Sequence, residues 1–312
     1  MTIASIDIGT NTVLLLIARV GPDGSISPLV YEQRIPRLGK GVDAEKRLEP
    51  ASMRRVIAVL KEYADRIQSV RPEAVVVCGT SAVRDAANRQ QFTAMVLHET
   101  GFRLEVLSGD EEAHWTYRGA ISGVPGISLA AVLDIGGGST EISCGNRQAL
   151  LSRKSMNIGS VRLTERLFAH DPPSQEEIAT GTGLIRTALE KDSISIPAGS
   201  TLVGVAGTAT SLAMMAQGMQ EFSIAAVTNY LLQRSTVEHL FATLRRLPAA
   251  EIRALSPIME GRADVITAGT LILLEMMNHY GFDVMTVSER GVRYGLVLRE
   301  WERRIKEKEI RS

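Results

Sequence analysis

The chain opens with apolar runs broken by short turn signals. "TIASID" reads as a buried strand ending at Asp7, and "GTN" turns it into a second strand, "TVLLLIARV". "GPDG" turns again into a third strand, "SPLVYEQRI", completing a three-strand meander. The period then lengthens. Met53, Val56, Ile57, Leu60, Tyr63 and Ile67 recur at helical spacing across about residues 50–70. The strand "AVVVCG", a second helix, the strand "RLEVLSG" and a helix opening at "GDEEAHW" follow.

The second half restarts the same sentence. "LAAVLDIGGG" is strand and turn, "STEISCG" a strand, "NRQ" a turn and "ALLSRKSMNIG" a third strand, after which helices surround the buried strand "STLVGVAG". Asp7 and Asp134 stand about one domain length apart at the ends of matching strands, so an internal duplication is the simplest account. The expected class is α/β, with two domains built alike.

Composition narrows the chemistry. With 312 residues, 45% hydrophobic and 22% charged, the sequence has enough apolar content for two cores. Lys+Arg and Asp+Glu both total 35, so no global field draws in nucleic acid or an anionic membrane, and neither is expected as a partner. Apolar runs such as "VLLLIA" are far shorter than the ~20 residues of a membrane span, and no basic-then-apolar leader precedes them, so a cytoplasmic location is expected. Cys78 and Cys144 lie in strand-like apolar runs and read as buried thiols, and the five histidines show no paired ligand spacing, which argues against zinc.

The repeated turn carries the candidate chemistry. Gly136, Gly137 and Gly138 have no Cβ and can take positive φ, so their backbone N–H groups can close on an anion together. Asp134 before the loop and Glu141 beyond it offer hard oxygen ligands suited to Mg²⁺, which binds through one or two carboxylates, water and phosphate. Two such loops in matching contexts suggest facing domains that clamp a phosphate chain in a cleft.

"SIDIGTNTVLLLIA" and "VLDIGGGSTEI" resemble the two phosphate loops of the actin, sugar-kinase and heat-shock-chaperone ATPase superfamily, and "LVGVAGTATSLA" resembles its later glycine-rich nucleotide loop. Together with "RLGKGV", "GTSAVRDA", "VLSGDEEA", "NIGSVRLTE" and "SERGVRYGL", in that order, they resemble the exopolyphosphatase/guanosine pentaphosphate phosphatase (Ppx/GppA) family over nearly the whole chain. The resemblance implies two ribonuclease H-like domains around an interdomain cleft. The first would span residues 1–122 plus 298–312 and the second 123–297, with a final helix at about 291–310 folding back onto the first.

It also implies roles for residues. Glu112, the second glutamate of "GDEEA", corresponds to the general base. Adjacent helical residues point about 100° apart, so only one of Glu111 and Glu112 can serve. Asp134 and Glu141 would handle Mg²⁺, or Mn²⁺ in its place. Asp7, Gly9, Thr10 and Asn11 would hold phosphate from one side, and Gly136, Gly137, Gly138, Ser139 and Thr140 from the other. Arg37, Lys40, Thr80, Arg84, Ser160, Arg162, Gly207, Thr208 and Arg262 complete the substrate contacts. The implied reaction is release of the terminal phosphate of inorganic polyphosphate. Its alternatives are conversion of pppGpp to ppGpp and transfer of phosphate between polyphosphate and a nucleotide, with a role in the stringent response and a homodimer as further expectations. A regulator that binds without catalysis is the remaining class, and the Glu112 motif argues against it.

Overall fold

A computed structural model describes residues 1–311, the last of these by its backbone alone. The chain divides into two units, Met1–Ser122 with Arg290–Ser312, and Gly123–Glu289. The return to the first unit therefore comes at Arg290, earlier than the expected residue 298, because the whole last helix belongs there.

In the first unit, β1 (Thr2–Ile8), β2 (Val13–Val20) and β3 (Ile26–Arg34) form the meander, followed by α1 (Val42–Glu45), α2 (Pro50–Val70), β4 (Ala74–Gly79), α3 (Ser81–Asp85), α4 (Arg89–Thr100), β5 (Leu104–Val106) and α5 (Gly109–Ile121). The sheet order is β3-β2-β1-β4-β5, antiparallel through the meander and parallel from β1 onward. The two-residue period of β1 sorts its sides. Ala4, Ile6 and Ile8 pack with Met53, Val56, Leu60 and Tyr63 of α2, whereas Ile3 faces the last helix. Pro50 starts α2 where its missing N–H costs nothing, and Arg71 ends it in the left-handed region.

The second unit holds β6 (Ala130–Ile135), β7 (Thr140–Gly145), β8 (Leu150–Met156), α6 (Ser160–Leu167), α7 (Gln175–Asp192), β9 (Thr201–Val205), α8 (Ala206–Ala216), α9 (Ile224–Val227), β10 (Leu231–Gln233), α10 (Arg234–Leu244), α11 (Ala249–Leu255), a 3₁₀ turn at Pro257–Met259, α12 (Ile266–Tyr280) and β11 (Val284–Val287). Its sheet runs β10-β11-β9-β6-β7-β8. With β6, β7, β8, β9 and β11 in the places of β1 to β5, this is the first sheet repeated with one strand added at the edge. The duplication read from the turns is thus present in the topology. Neither β10 nor β11 was anticipated from the sequence.

The last helix, α13 (Val292–Arg311), closes the first unit. Tyr294, Val297 and Leu298 pack on Ile3, Leu16 and Ala18, Ser5 Oγ donates to the Arg293 carbonyl at 2.9 Å, and the Arg293 guanidinium lies over the Tyr31 ring at 3.9 Å. No helix among the described residues is long and apolar enough to cross a membrane. Both cysteines are buried free thiols, and burial pushes Cys78 up to about 12, which keeps it un-ionised and inert.

Candidate active site

Both glycine turns sit at the carboxyl ends of parallel strands, where open α/β sheets place their ligands. In the first unit β1 and β4 run side by side, Asp7 registers with Cys78, and the Thr80 N–H donates to the Ile8 carbonyl at 3.1 Å. That junction brings the first turn beside the "GTSAVRDA" segment. Thr10 Oγ1 and Ser81 Oγ are 2.9 Å apart, and Asp7, Thr10 and Thr80 are all buried. Ser81 had no assigned role in the sequence; only the parallel pairing reveals it.

A third segment braces this turn. The Gly39 N–H donates to the Thr10 carbonyl at 2.8 Å and the Arg37 N–H to the Asn11 carbonyl at 3.1 Å, while Gly9 N–H closes the turn onto Thr12 O at 2.9 Å. A trans peptide sets N–H and C=O in opposite directions, so with these carbonyls turned toward residues 37–39 the N–H groups of Asn11 and Thr12 aim away. Arg37 takes φ 54, which costs a non-glycine residue about 1–2 kcal/mol. Gly39 has no alternative, since a Cβ there would stand 2.3 Å from Thr10 Cγ2. Lys40 beside it is exposed.

The second turn is built by the same device. The Gly136 carbonyl accepts from Ser160 N–H at 2.9 Å, the Gly137 carbonyl from Val161 and Arg162 N–H at 2.9 and 3.0 Å, and the Gly138 carbonyl from Arg162 Nε at 2.6 Å. The N–H groups of Gly137, Gly138 and Ser139 therefore point away from α6 as a set, the arrangement of an anion nest. None of the three glycines adopts the left-handed conformation that the sequence reading allowed them. The glycine whose missing Cβ permits close approach is their neighbour in space, Gly159. Gly159 presses on them so tightly that a Cβ would stand 2.3 Å from the Gly137 oxygen. Ser160 and Arg162 are both buried, and Thr140 Oγ1 donates to the Ile158 carbonyl at 2.7 Å.

Asp134 and Glu141 are direct partners across the β6–β7 ladder, so both carboxylates emerge on one face of the sheet, buried to 9% and 2% exposure. Ser155 Oγ donates to Glu141 Oε1 at 2.6 Å and fixes its orientation. In the first repeat the partner of Asp7 at this register is Leu14, so only the second turn carries a carboxylate pair. Among the described residues no group of three or more His, Cys, Asp or Glu side chains could hold a metal by itself. Two adjacent buried carboxylates repel unless a cation lies near, and an all-oxygen pair fits Mg²⁺ that completes its shell with water and phosphate.

Beside this turn, β9 runs parallel to β6 with Asp134 in register with Val205, and the chain enters α8 through Ala206 at φ 62. The Arg262 guanidinium lies directly on the Gly207 backbone, with Nη1 1.3 Å from where a Cβ would stand. Thr208 behind it is buried. Gly207, Thr208 and Arg262 thus form one cluster within the second unit.

Glu112 and Glu111 separate cleanly. Glu111 is the third residue of α5 and closes a capping box: its N–H donates to Ser108 Oγ at 3.2 Å and its Oε2 accepts from Ser108 N–H at 2.9 Å. Those bonds hold its carboxyl below the usual range. Glu112 turns inward to 8% exposure, where Arg84 Nη1 donates to its Oε2 at 2.7 Å. The same Nη1 donates to the Leu107 carbonyl at 3.1 Å. Burial pushes the Glu112 carboxyl above the ordinary 4.5; Arg84 and the Thr80 hydroxyl pull it back, without cancelling the effect. Arg84, expected to reach substrate, spends part of its guanidinium bracing this carboxylate. In the first unit the structure thus brings together Asp7, the turn of residues 9–11, Thr80, Arg84 and Glu112, with the Arg37 backbone bonded to the turn.

These two constellations define a phosphate-handling enzyme, and comparison with known proteins agrees. The profile of the Ppx/GppA phosphatase family matches residues 16–304, and the chain belongs to that family. It is 38% identical to Exopolyphosphatase 2 of Mycobacterium tuberculosis over 312 residues, covering 95% of this chain and 97% of that protein. It is 33% identical to a bifunctional 3-dehydroquinate synthase/phosphatase of Fusobacterium nucleatum, covering 95% of this chain and 46% of that longer protein. Among solved structures, an exopolyphosphatase-like protein superposes with a TM-score of 0.91 at 31% identity, covering 98% of this chain and 100% of that one. The Aquifex aeolicus Ppx/GppA family member superposes with a TM-score of 0.81 at 31% identity, covering 97% and 98%.

Proposed function

We propose that this protein is an exopolyphosphatase that hydrolyses the terminal phosphoanhydride of inorganic polyphosphate and releases orthophosphate. The observation that carries the reading is Glu112, a buried carboxylate with a raised proton affinity, braced by Arg84 and Thr80 in the same unit as a phosphate turn. In-line attack on a phosphoryl group asks little covalent chemistry of the protein; an oriented water, a base and neutralised oxygens supply the rate. Glu112 takes the proton of the attacking water, and in each unit the N–H groups of its own turn are donors suited to phosphate oxygens. Arg37, on the segment that braces the first turn, adds positive charge there, while Arg162 holds the second turn's carbonyls. Mg²⁺, held through Asp134 and Glu141, would supply further charge neutralisation on the phosphates.

The terminal anhydride of pppGpp is chemically alike, and the family's name covers both reactions. Phosphate release measured as kcat/KM for short polyphosphate, long polyphosphate and pppGpp, with no added acceptor, decides the matter. Faster turnover of pppGpp would replace the polyphosphate reading, and phosphate release that required a nucleotide acceptor would replace hydrolysis by transfer.

Two further outcomes are expected. Asp134→Asn and Glu141→Gln each raise the Mg²⁺ concentration for half-maximal activity, because a hard cation loses a charged oxygen. Metal titration of activity checks this, and full activity in excess chelator contradicts it. Arg84→Gln moves the acidic limb of the kcat/KM profile to higher pH. The base must be deprotonated, and removing Arg84 takes away the largest influence that lowers the Glu112 pKa. A limb that stays put or moves down would disprove the bracing role.

A further inference from the structure

Glu112 and the groups that brace it ride on different elements. Thr80 and Arg84 are fixed by β4 and α3 on the sheet, whereas Glu112 stands in the first turn of α5. Its distance from them depends on where α5 lies, and α5 is set by α13. Two glycines make the contact. A Cβ at Gly295 would stand 1.9 Å from the Trp115 oxygen and 2.5 Å from its carbonyl carbon, and a Cβ at Gly119 would stand 2.3 Å from the Gly291 oxygen and 2.8 Å from the Gly295 nitrogen. Backbone meets backbone, so no side-chain rotation relieves an added methyl. Glu112, Trp115 and Gly119 fall at i, i+3 and i+7, on one stripe of α5. Trp115 is also packed with Val76, Cys78, Leu107, Val292 and Leu296, which leaves the helix little room to tilt.

We infer that Gly295 is a positioning residue for the catalytic base: by letting α13 touch the α5 backbone at Trp115, it sets the reach of Glu112 to Arg84 and Thr80. This rests on the reading of Glu112 as base. Gly291, on the same interface, has no atom within 4 Å of its own Cβ position and supplies an internal control.

The test is kcat, KM and the pH profile of Gly295→Ala, Gly119→Ala and Gly291→Ala, each in wild type and in Glu112→Gln. A displacement near 1 Å predicts that Gly295→Ala lowers kcat by about 10²-fold with KM little changed. Because the Arg84 bond weakens, the acidic limb also moves to higher pH. Gly119→Ala acts the same way, and Gly291→Ala leaves both readouts at wild type. In the Glu112→Gln background Gly295→Ala has no further effect beyond about twofold, since residues acting through one group are not additive. Equal losses in both backgrounds, an unmoved limb, or a Gly291→Ala loss matching Gly295→Ala would overturn the proposal. Failure of both Gly295→Ala and Gly119→Ala to fold would overturn it as well, by making the contact a requirement of folding. Wild-type activity in Glu112→Gln alone would instead remove the base assignment, a result separable from all of these.

Discussion

Replacing Glu112 by Gln is expected to lower kcat by about 10²–10⁴-fold, the range for a lost general base, while KM and melting temperature change little. The stability half of this expectation comes from the site. Burial disfavours the charged carboxylate, so an amide of the same shape is not penalised there, and it can still accept from Arg84 and Thr80. The neighbouring glutamate gives the contrast. Glu111→Gln retains a capping-box acceptor at the third helical position and should be nearly silent in both respects, whereas Glu111→Ala should cost stability of roughly 0.5–1 kcal/mol with kcat preserved. Steady-state kinetics with thermal melting of the three variants separates the two residues. Equal losses of kcat at 111 and 112 would show that neither acts as the base.

The second large effect is expected at Gly159. Its backbone is extended, at φ −148 and ψ 163, so alanine is allowed there by its dihedrals. The obstacle is contact: a Cβ would stand 2.3 Å from the Gly137 oxygen, 2.5 Å from its carbonyl carbon and 2.6 Å from that of Gly138. The glycine turn or the start of α6 has to move, and the bonds from Ser160, Val161 and Arg162 that turn the loop carbonyls away lengthen together. With the N–H groups of Gly137, Gly138 and Ser139 misdirected, kcat/KM should fall by about 10²-fold or more. Gly183→Ala, inside α7 with open space around the added carbon, is the matching control. It should keep activity and gain up to about 1 kcal/mol of stability. Wild-type kcat/KM in Gly159→Ala would mean that the loop's set geometry does not matter to phosphate binding.

These two sites differ in how far the sequence reached them. Glu112 was reached through the resemblance of "GDEEA" to the family's motif, helix geometry adding only that one of two adjacent glutamates can face inward. Gly159 lay inside a motif quoted for its resemblance, yet nothing in "NIGSVRLTE" tells that the glycine presses on a loop more than twenty residues earlier. Ser81, Ser155 and Gly39 share that difficulty. Each acts on a turn from another strand or loop, and ordinary serines and glycines carry no period or charge pattern to mark them.

The amino-acid pattern alone determined the meander and its repetition, the long helix at about 50–70, the two aspartate turns and the class of chemistry. These depend on local rules: alternation for strands, a 3.6-residue period for helices, glycine and asparagine at turns. Only the tertiary structure decided that Gly159 must be bare to press on Gly137 and Gly138, which themselves avoid left-handed backbone, that Arg84 braces the base, and that the return to the first unit falls at Arg290 and not at 298. It also decided that the two carboxylates of the second turn stand side by side, since Glu141 faces Asp134 through ladder register. The physical reason is common to all of them. Each depends on which backbone lies a few ångströms away after the chain has closed on itself, and that distance is set by packing of segments far apart in sequence.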